Sequence, residues 1–191
     1  MSQEYWELRY QNNETPWDIG HVSPSLSSYF QRISHKDIKI LIPGAGNAYE
    51  AEWLWRNDFK NIWIVDLSPK AFQNFFDRCP DFPKEQMLVQ DFFSLEDTFE
   101  IIIEQTFFCA IDPHLRKNYV RSCHQLLRPQ GKLIGLLFDF PLTEQGPPFG
   151  GSKEEYLELF SEHFKIWKLE KSYNSIKPRE GKEFFFQFIA R

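Results

Sequence analysis

The sequence predicts an α/β fold: a doubly wound, Rossmann-like sheet of seven strands with helices on both faces and an antiparallel last strand. Three observations predict it. Short apolar runs alternate with helical periodicities from Ile38 onward, the pattern of successive βαβ units. A glycine-rich turn, "PGAGN", follows the first apolar run. The last two strand candidates follow one another with no helical pattern between them, which suits one antiparallel strand in an otherwise parallel sheet.

The elements follow in order. Residues 1–34 are polar and aromatic, with Thr15-Pro16 and Ser23-Pro24 as breakers, and read as an arm ending in a short helix. Ile38 to Ile42 is the first strand. Asn47 to about Arg56 is a helix, with Asn47 as cap, Glu50 as its capping-box partner, and Ala51, Leu54 and Trp55 as its inner stripe. Ile62 to Val65 is the second strand, and Ser68-Pro69 opens a helix with an apolar face of Phe72, Phe75 and Phe76. Met87 to Val89 and Phe99 to Ile103 are the third and fourth strands. Asp112-Pro113 starts a helix lined by Leu115, Tyr119, Cys123 and Leu126, and "RPQGK" turns the chain into a fifth strand, Leu133 to Phe138. The loop "GPPFGG" precedes a helix with Ser152 and Glu155 as a capping box. Phe164 to Leu169 and Glu183 to Ile189, around "KPREGK", are the last two strands. Residues 1–191 read as one domain, with 1–34 as its N-terminal lid.

Charge and cysteine usage narrow the function. Lys plus Arg number 22 against 27 Asp plus Glu, a net charge of -5. That balance argues against a nucleic-acid or anionic-membrane partner, which a basic face would attract. The start, "MSQEYWEL", carries no basic and then apolar region, so no signal peptide is expected. No apolar stretch approaches the roughly 18 residues of a membrane span. Cys79, Cys109 and Cys123 are odd in number and lack metal spacing, which reads as reduced thiols in a cytoplasm. The histidines form no zinc signature, so no metal is expected. The expected partner is a small molecule, and the expected state a monomer.

The chemistry starts at Gly44 and Gly46, where the first strand ends. In an open α/β sheet ligands bind beyond the carboxyl ends of the strands, and a glycine lets them approach the backbone. Asp66 ends the second strand, twenty residues past Gly46, where an acidic side chain accepts the hydroxyls of an adenosine ribose. A dinucleotide site wants a third glycine three residues on, for close helix–strand packing, but Tyr49 stands there. S-adenosylmethionine has no phosphate, so the shorter turn suffices. Asp91 and Phe92, after the third strand, add a carboxylate for the adenine amino group and a ring for its face.

On these residues the chain resembles the thiopurine S-methyltransferase family of S-adenosylmethionine-dependent enzymes, and within it the thiol and halide methyltransferase branch. The likeness runs through "YWELRYQNNETPWDIG", "PGAGNAYEAEWL", "VDLSPKA", "DFF", "FFCAIDPHLRKNY", "LLRPQGKL" and "GPPFGGS". The resemblance implies that Trp6 and Tyr10 fold over the cofactor and that Trp17 faces the acceptor. It implies that Gly44 and Gly46 line the methionine part, Asp66 holds the ribose, Leu67 touches the adenine, and Asp91 and Phe92 meet its edge. Glu104 and Gln105 match a pair beside the methionine moiety, with Gln105 departing from the family's Tyr or Arg. Phe138 and Phe149 stand where the plant branch has Tyr, so a hydroxyl is missing there, which implies either a different substrate or a drier pocket.

The implied reaction is methyl transfer to a small soft nucleophile: a thiol, hydrosulfide, halide or aromatic thiol. Such a nucleophile arrives charged or nearly so, since a free thiol has a pKa near ~8.5. The site must supply alignment and exclusion of water, so Trp17, Phe138 and Phe149 are acceptor-positioning candidates and no general base is assigned. Two other readings stay open: a module that binds S-adenosylmethionine without transferring methyl, and a nicotinamide-dependent oxidoreductase. A nucleic-acid amino-methyltransferase is excluded, because "GPPF" begins with Gly146 where that chemistry needs a carboxylate or amide.

Overall fold

The computed structural model describes every residue, Met1–Arg191. It packs as two compact units, Met1–Leu95 and Glu96–Arg191.

The first unit carries α1 (Gln3–Gln11), α2 (Pro24–Phe30), β1 (Ile40–Pro43), α3 (Tyr49–Arg56), β2 (Ile62–Asp66), α4 (Pro69–Arg78) and β3 (Met87–Val89). β2 pairs in parallel with both β1 and β3, with Ile42 opposite Ile64 and Asp66 opposite Val89. Ile40, Leu41, Ile42, Ile62, Ile64 and Val65 are buried, as expected for strands covered on both faces. α3 and α4 pack on β2, α2 on α3, and α1 on α4. The predicted arm is thus two helices joined by a loop.

The second unit carries β4 (Phe99–Gln105), α5 (Arg116–Leu126), β5 (Leu127–Phe138), α6 (Lys153–Phe160), β6 (Phe164–Lys171) and β7 (Glu183–Ala190). β4 and β5 are parallel, and β7 runs antiparallel to both β5 and β6. Over all seven strands the order is β3-β2-β1-β4-β5-β7-β6. The seven strands and the antiparallel last one agree with the sequence expectation. Phe184, Phe186 and Phe188 alternate inward along β7 and meet α6, Phe184 against Tyr156 and the other two against Phe160, with Phe160 and Phe188 ring centroids 4.9 Å apart. Rings so placed account for part of the high phenylalanine content.

Three local expectations are corrected. α3 begins at Tyr49, preceded by Ala48 at φ +53, and neither Asn47 nor Glu50 caps it. Both side chains bind other parts of the unit instead: Asn47 donates to Asp18 and Glu50 accepts from the Ser23 amide. Ser68 stands at the N-cap of α4 but makes no side-chain cap. Its hydroxyl donates to Glu7 Oε2, which also accepts weakly from the Lys70 amide at 3.4 Å, so α1 supplies the carboxylate for that helix start. "RPQGK" is not a turn before β5 but a bulge inside it. The register slips between Phe99 and Ile101, and Gln130 takes φ +64. The Ser152 cap of α6 is as expected, its hydroxyl accepting from the Glu155 amide at 3.2 Å.

Candidate active site

In the first unit the predicted residues converge on the turn after β1. Gly44 and Gly46 both take left-handed backbone, φ +56 and +54, which explains glycine at each place. Asp66, ending β2, crosses to this turn: its Oδ2 accepts from the Gly46 amide and its Oδ1 from the Ser68 amide, each at 2.9 Å. Burial pushes the Asp66 carboxyl above its ordinary range, and the amides of Ser68, Gly46 and Leu67 pull it back. Leu67 is half-buried beside it. Asp91 is exposed, with Oδ1 accepting from the Phe93 amide at 3.0 Å, and Phe92 is buried.

The arm lies over that turn. Tyr10 is buried, and its hydroxyl stands 2.7 Å from where a Cβ on Gly46 would be. Trp6 meets Trp17 edge-on at 5.4 Å, and Trp17 meets Tyr10 at 5.9 Å. The Trp17 indole N–H bonds to the Tyr10 hydroxyl. Burial, with Asp66 close by, pushes the Tyr10 phenol well above its usual range, so it stays protonated. Two ties hold the arm: Glu7 to Ser68, and Asp18, which accepts from Asn47 Nδ2 at 2.5 Å and Tyr49 Oη at 3.4 Å. Sequence reasoning missed Glu7 and Asp18. Neither stands at a recognisable spacing, and only the folded chain brings them to their partners, 61 and 29 residues away.

In the second unit Glu104 and Gln105 end β4. Glu104 is 1% exposed. Its Oε1 accepts from the amides of Phe107 and Phe108 at 2.8 and 2.9 Å, and its Oε2 from Tyr119 Oη at 2.6 Å. The carboxylate therefore shapes the loop after β4, where Thr106 sits at φ +60. Gln105 Oε1 is buried with no hydrogen-bond partner, an acceptor awaiting a donor. Phe149 is buried, and its amide donates to the Cys109 carbonyl at 2.8 Å. Phe138 is half-buried against Phe140, with the Arg179 guanidinium 5.5 Å from its ring centre. Arg116, another residue missed from sequence, is buried and donates to Glu155 at 2.6 Å and to the Gly150 carbonyl at 2.7 Å. It pins the "GPPFGG" loop.

Burial pushes the Glu104 carboxyl up to about 7, against the lowering effect of the Tyr119, Phe108 and Phe107 donors. Its folded value lies above its unfolded one. Its contribution to stability is therefore full at acid pH and is lost as pH rises from about 4.5 through about 7. Denaturant unfolding across that window should show the wild type losing on the order of 3 kcal/mol relative to Glu104→Gln. Parallel pH profiles for the two proteins would refute this account.

These parts suit S-adenosylmethionine. The left-handed turn leaves backbone open, Asp66 offers a carboxylate, the ring cluster offers aromatic faces for a cation, and Gln105 offers a buried acceptor.

Comparison with known proteins agrees. The thiopurine S-methyltransferase family model matches residues 1–187. A probable thiol methyltransferase 2 of Arabidopsis thaliana is 29% identical over 184 residues, covering 93% of this chain and 81% of that protein. Thiocyanate methyltransferase 1 of Brassica oleracea is 28% identical, with the same coverage of each. Among solved structures, the 1,6-didemethyltoxoflavin-N1-methyltransferase of Burkholderia thailandensis, bound to its substrate and S-adenosylhomocysteine, superposes with a TM-score of 0.78. It is 16% identical and covers 98% of this chain and 86% of that one, a likeness of fold. No helix is long and apolar enough to cross a membrane.

Proposed function

This chain belongs to the thiopurine S-methyltransferase family, and on that premise we propose that it transfers a methyl group to the sulfur of a small thiol or a comparable soft nucleophile. It is a methyltransferase, and S-adenosylmethionine is its methyl donor. The observation that carries the reading is the ring cluster of Tyr10, Trp6 and Trp17 at the Gly46 turn, beside the half-buried Asp66 carboxylate.

When bound, the donor supplies an electrophilic methyl on a cationic sulfonium. The chain's residues supply the rest. Asp66 would accept from the ribose hydroxyls, with Gly44 and Gly46 leaving room beside it. Leu67 and Phe92 would flank the adenine, and Asp91 would meet its amino edge. Gln105 Oε1 would accept from the methionine ammonium, while Glu104 holds the loop that follows. Trp6, Tyr10 and Trp17 favour the positive charge by cation–π attraction, on the order of 1–2 kcal/mol once water is excluded. Residues 1–34 act as the lid that excludes it. Trp17 in the first unit, and Phe138 and Phe149 in the second, would be the residues that position the acceptor. The relatives named for thiols and thiocyanate support a soft acceptor.

Calorimetry should show S-adenosylmethionine and S-adenosylhomocysteine binding, and NADH failing to bind. Comparable affinity for NADH would sink the cofactor assignment. Mass-detected methyl transfer to a panel of hydrosulfide, small thiols, aromatic thiols, iodide and thiocyanate tests the acceptor class. Donor binding with no transfer to any of them would leave a binding module in its place.

A further inference from the structure

We propose that Glu183 is a general base for this reaction and that it selects protonated thiols, hydrogen sulfide included, over preformed anions such as thiocyanate and iodide. The inference rests on the soft-acceptor reading and narrows it. Its basis is a recess in the second unit lined by Thr106, Phe108, Cys109, Leu136, Leu137, Phe138 and Glu183. Phe138 is the carboxyl end of β5 and Thr106 directly follows that of β4, the ends at which α/β sheets hold their ligands. Free space in the recess is about that of one water molecule, which admits a sulfhydryl head and little more.

Glu183 is the only charged residue in that lining. It opens β7 directly opposite Phe138 of β5, so the two side chains share one face of the sheet. Only 3% of its surface is exposed, and it sits 3.5 Å from Arg179, which is not part of the lining. The wall of the recess is therefore apolar apart from the Thr106 and Cys109 groups, and the Cys109 thiol already donates to the Thr106 carbonyl. A buried carboxylate in such a wall repels an anion and attracts an S–H proton. Burial raises the Glu183 carboxyl above its ordinary range, opposed first by Ser175 and then by Arg179, and the net rise brings it closer to a thiol in basicity.

The step balances without another reactant. Glu183 takes the S–H proton, and the sulfur pair so released forms the new bond to the methyl carbon. The pair of the broken sulfonium bond stays on the departing thioether. Glu183 then returns its proton to water.

The other titratable groups nearby are Arg179, Cys109, and Lys171 paired with Asp139 at the ends of β6 and β5. Burial keeps Cys109 a thiol, and it also feels Glu104 and Arg116. Glu104 titrates near neutrality, so the comparison is made between variants at each pH, where its effect is common to both.

The test measures kcat/KM of the full chain with 2-mercaptoethanol, hydrosulfide and thiocyanate from pH 6 to pH 9.5, for wild type and Glu183→Gln. At pH 7 the variant should lose on the order of 10–100-fold with 2-mercaptoethanol, and the loss should shrink towards the alkaline end of the range as the thiol ionises unaided. With thiocyanate the variant should gain. Infrared difference spectra of the two proteins should carry a carboxyl band that titrates in wild type alone and shifts when 2-mercaptoethanol is added. A loss equal for all acceptors at every pH would make Glu183 structural and overturn the proposal. So would wild type using thiocyanate as well as thiols at pH 7, a result that needs no variant. Wild type that methylates no acceptor at all would overturn the soft-acceptor reading and this inference together.

Discussion

Gly46→Ala should weaken S-adenosylmethionine binding by about 30–100-fold, or roughly 2–3 kcal/mol, and release the N-terminal arm. Two costs combine. An alanine held at φ +54 costs about 1–2 kcal/mol of backbone strain. Its Cβ would also lie 2.7 Å from the Tyr10 hydroxyl, closer than such atoms can stand. Tyr10 cannot yield alone, because its ring packs on Trp17 and Trp17 on Trp6, so the displacement passes into the arm. Hydrogen exchange should show amides from Glu4 to Gly20 losing protection in the variant. Gly181→Ala is the control: its backbone is also left-handed, φ +73, but a Cβ there meets nothing within 4 Å. It should pay the strain while leaving donor affinity and arm protection as in wild type. If both variants behave alike, the contact between Tyr10 and the glycine turn has no role in binding. If the wild-type arm is a lid, its amides should also gain protection when S-adenosylmethionine is added.

Asp66→Ala should weaken donor binding by on the order of 1.5–3 kcal/mol through loss of charge-assisted hydrogen bonds. It should also lower folding stability by about 1–3 kcal/mol, because the Gly46 and Ser68 amides both lose their acceptor. Asp66→Asn separates the two effects. Its amide oxygen can still accept one backbone bond, so stability should recover more than affinity does. Calorimetry and denaturant unfolding on the three proteins read this directly. An unchanged dissociation constant in Asp66→Ala would leave Asp66 as a brace for the turn and nothing more.

The convergence of Gly44, Gly46 and Asp66 was legible in the sequence. Gly44, Gly46 and Asp66 are tied to strand ends, and a strand end is visible in sequence because apolar runs stop there. Their convergence follows from two adjacent parallel strands whose carboxyl ends must lie side by side. The caps were harder. Asn47 and Glu50 have the right spacing for a capping box, yet their side chains answer Asp18 and Ser23. A local hydrogen bond competes with distant donors and acceptors that a spacing rule does not contain. "RPQGK" failed for a similar reason. Turn-forming residues also suit a bulge, and the neighbouring strand decides between them.

By itself the sequence determined the alternation of strands and helices, the seven strands, the antiparallel close and the pairing of a glycine turn with an acid at adjacent strand ends. All of these depend on interactions within a few residues or on apolar periodicity, which are written along the chain. Tertiary structure alone decided that Glu7 and Asp18 tie down the arm, that Arg116 pins the "GPPFGG" loop, that Glu104 is consumed by its own loop, and that Glu183 lines an apolar recess. Each of these is a charged side chain whose role depends on burial and on partners from other elements. In water the same residues would be ordinary solvated charges, and only packing that removes the water gives each one fixed partners and a role.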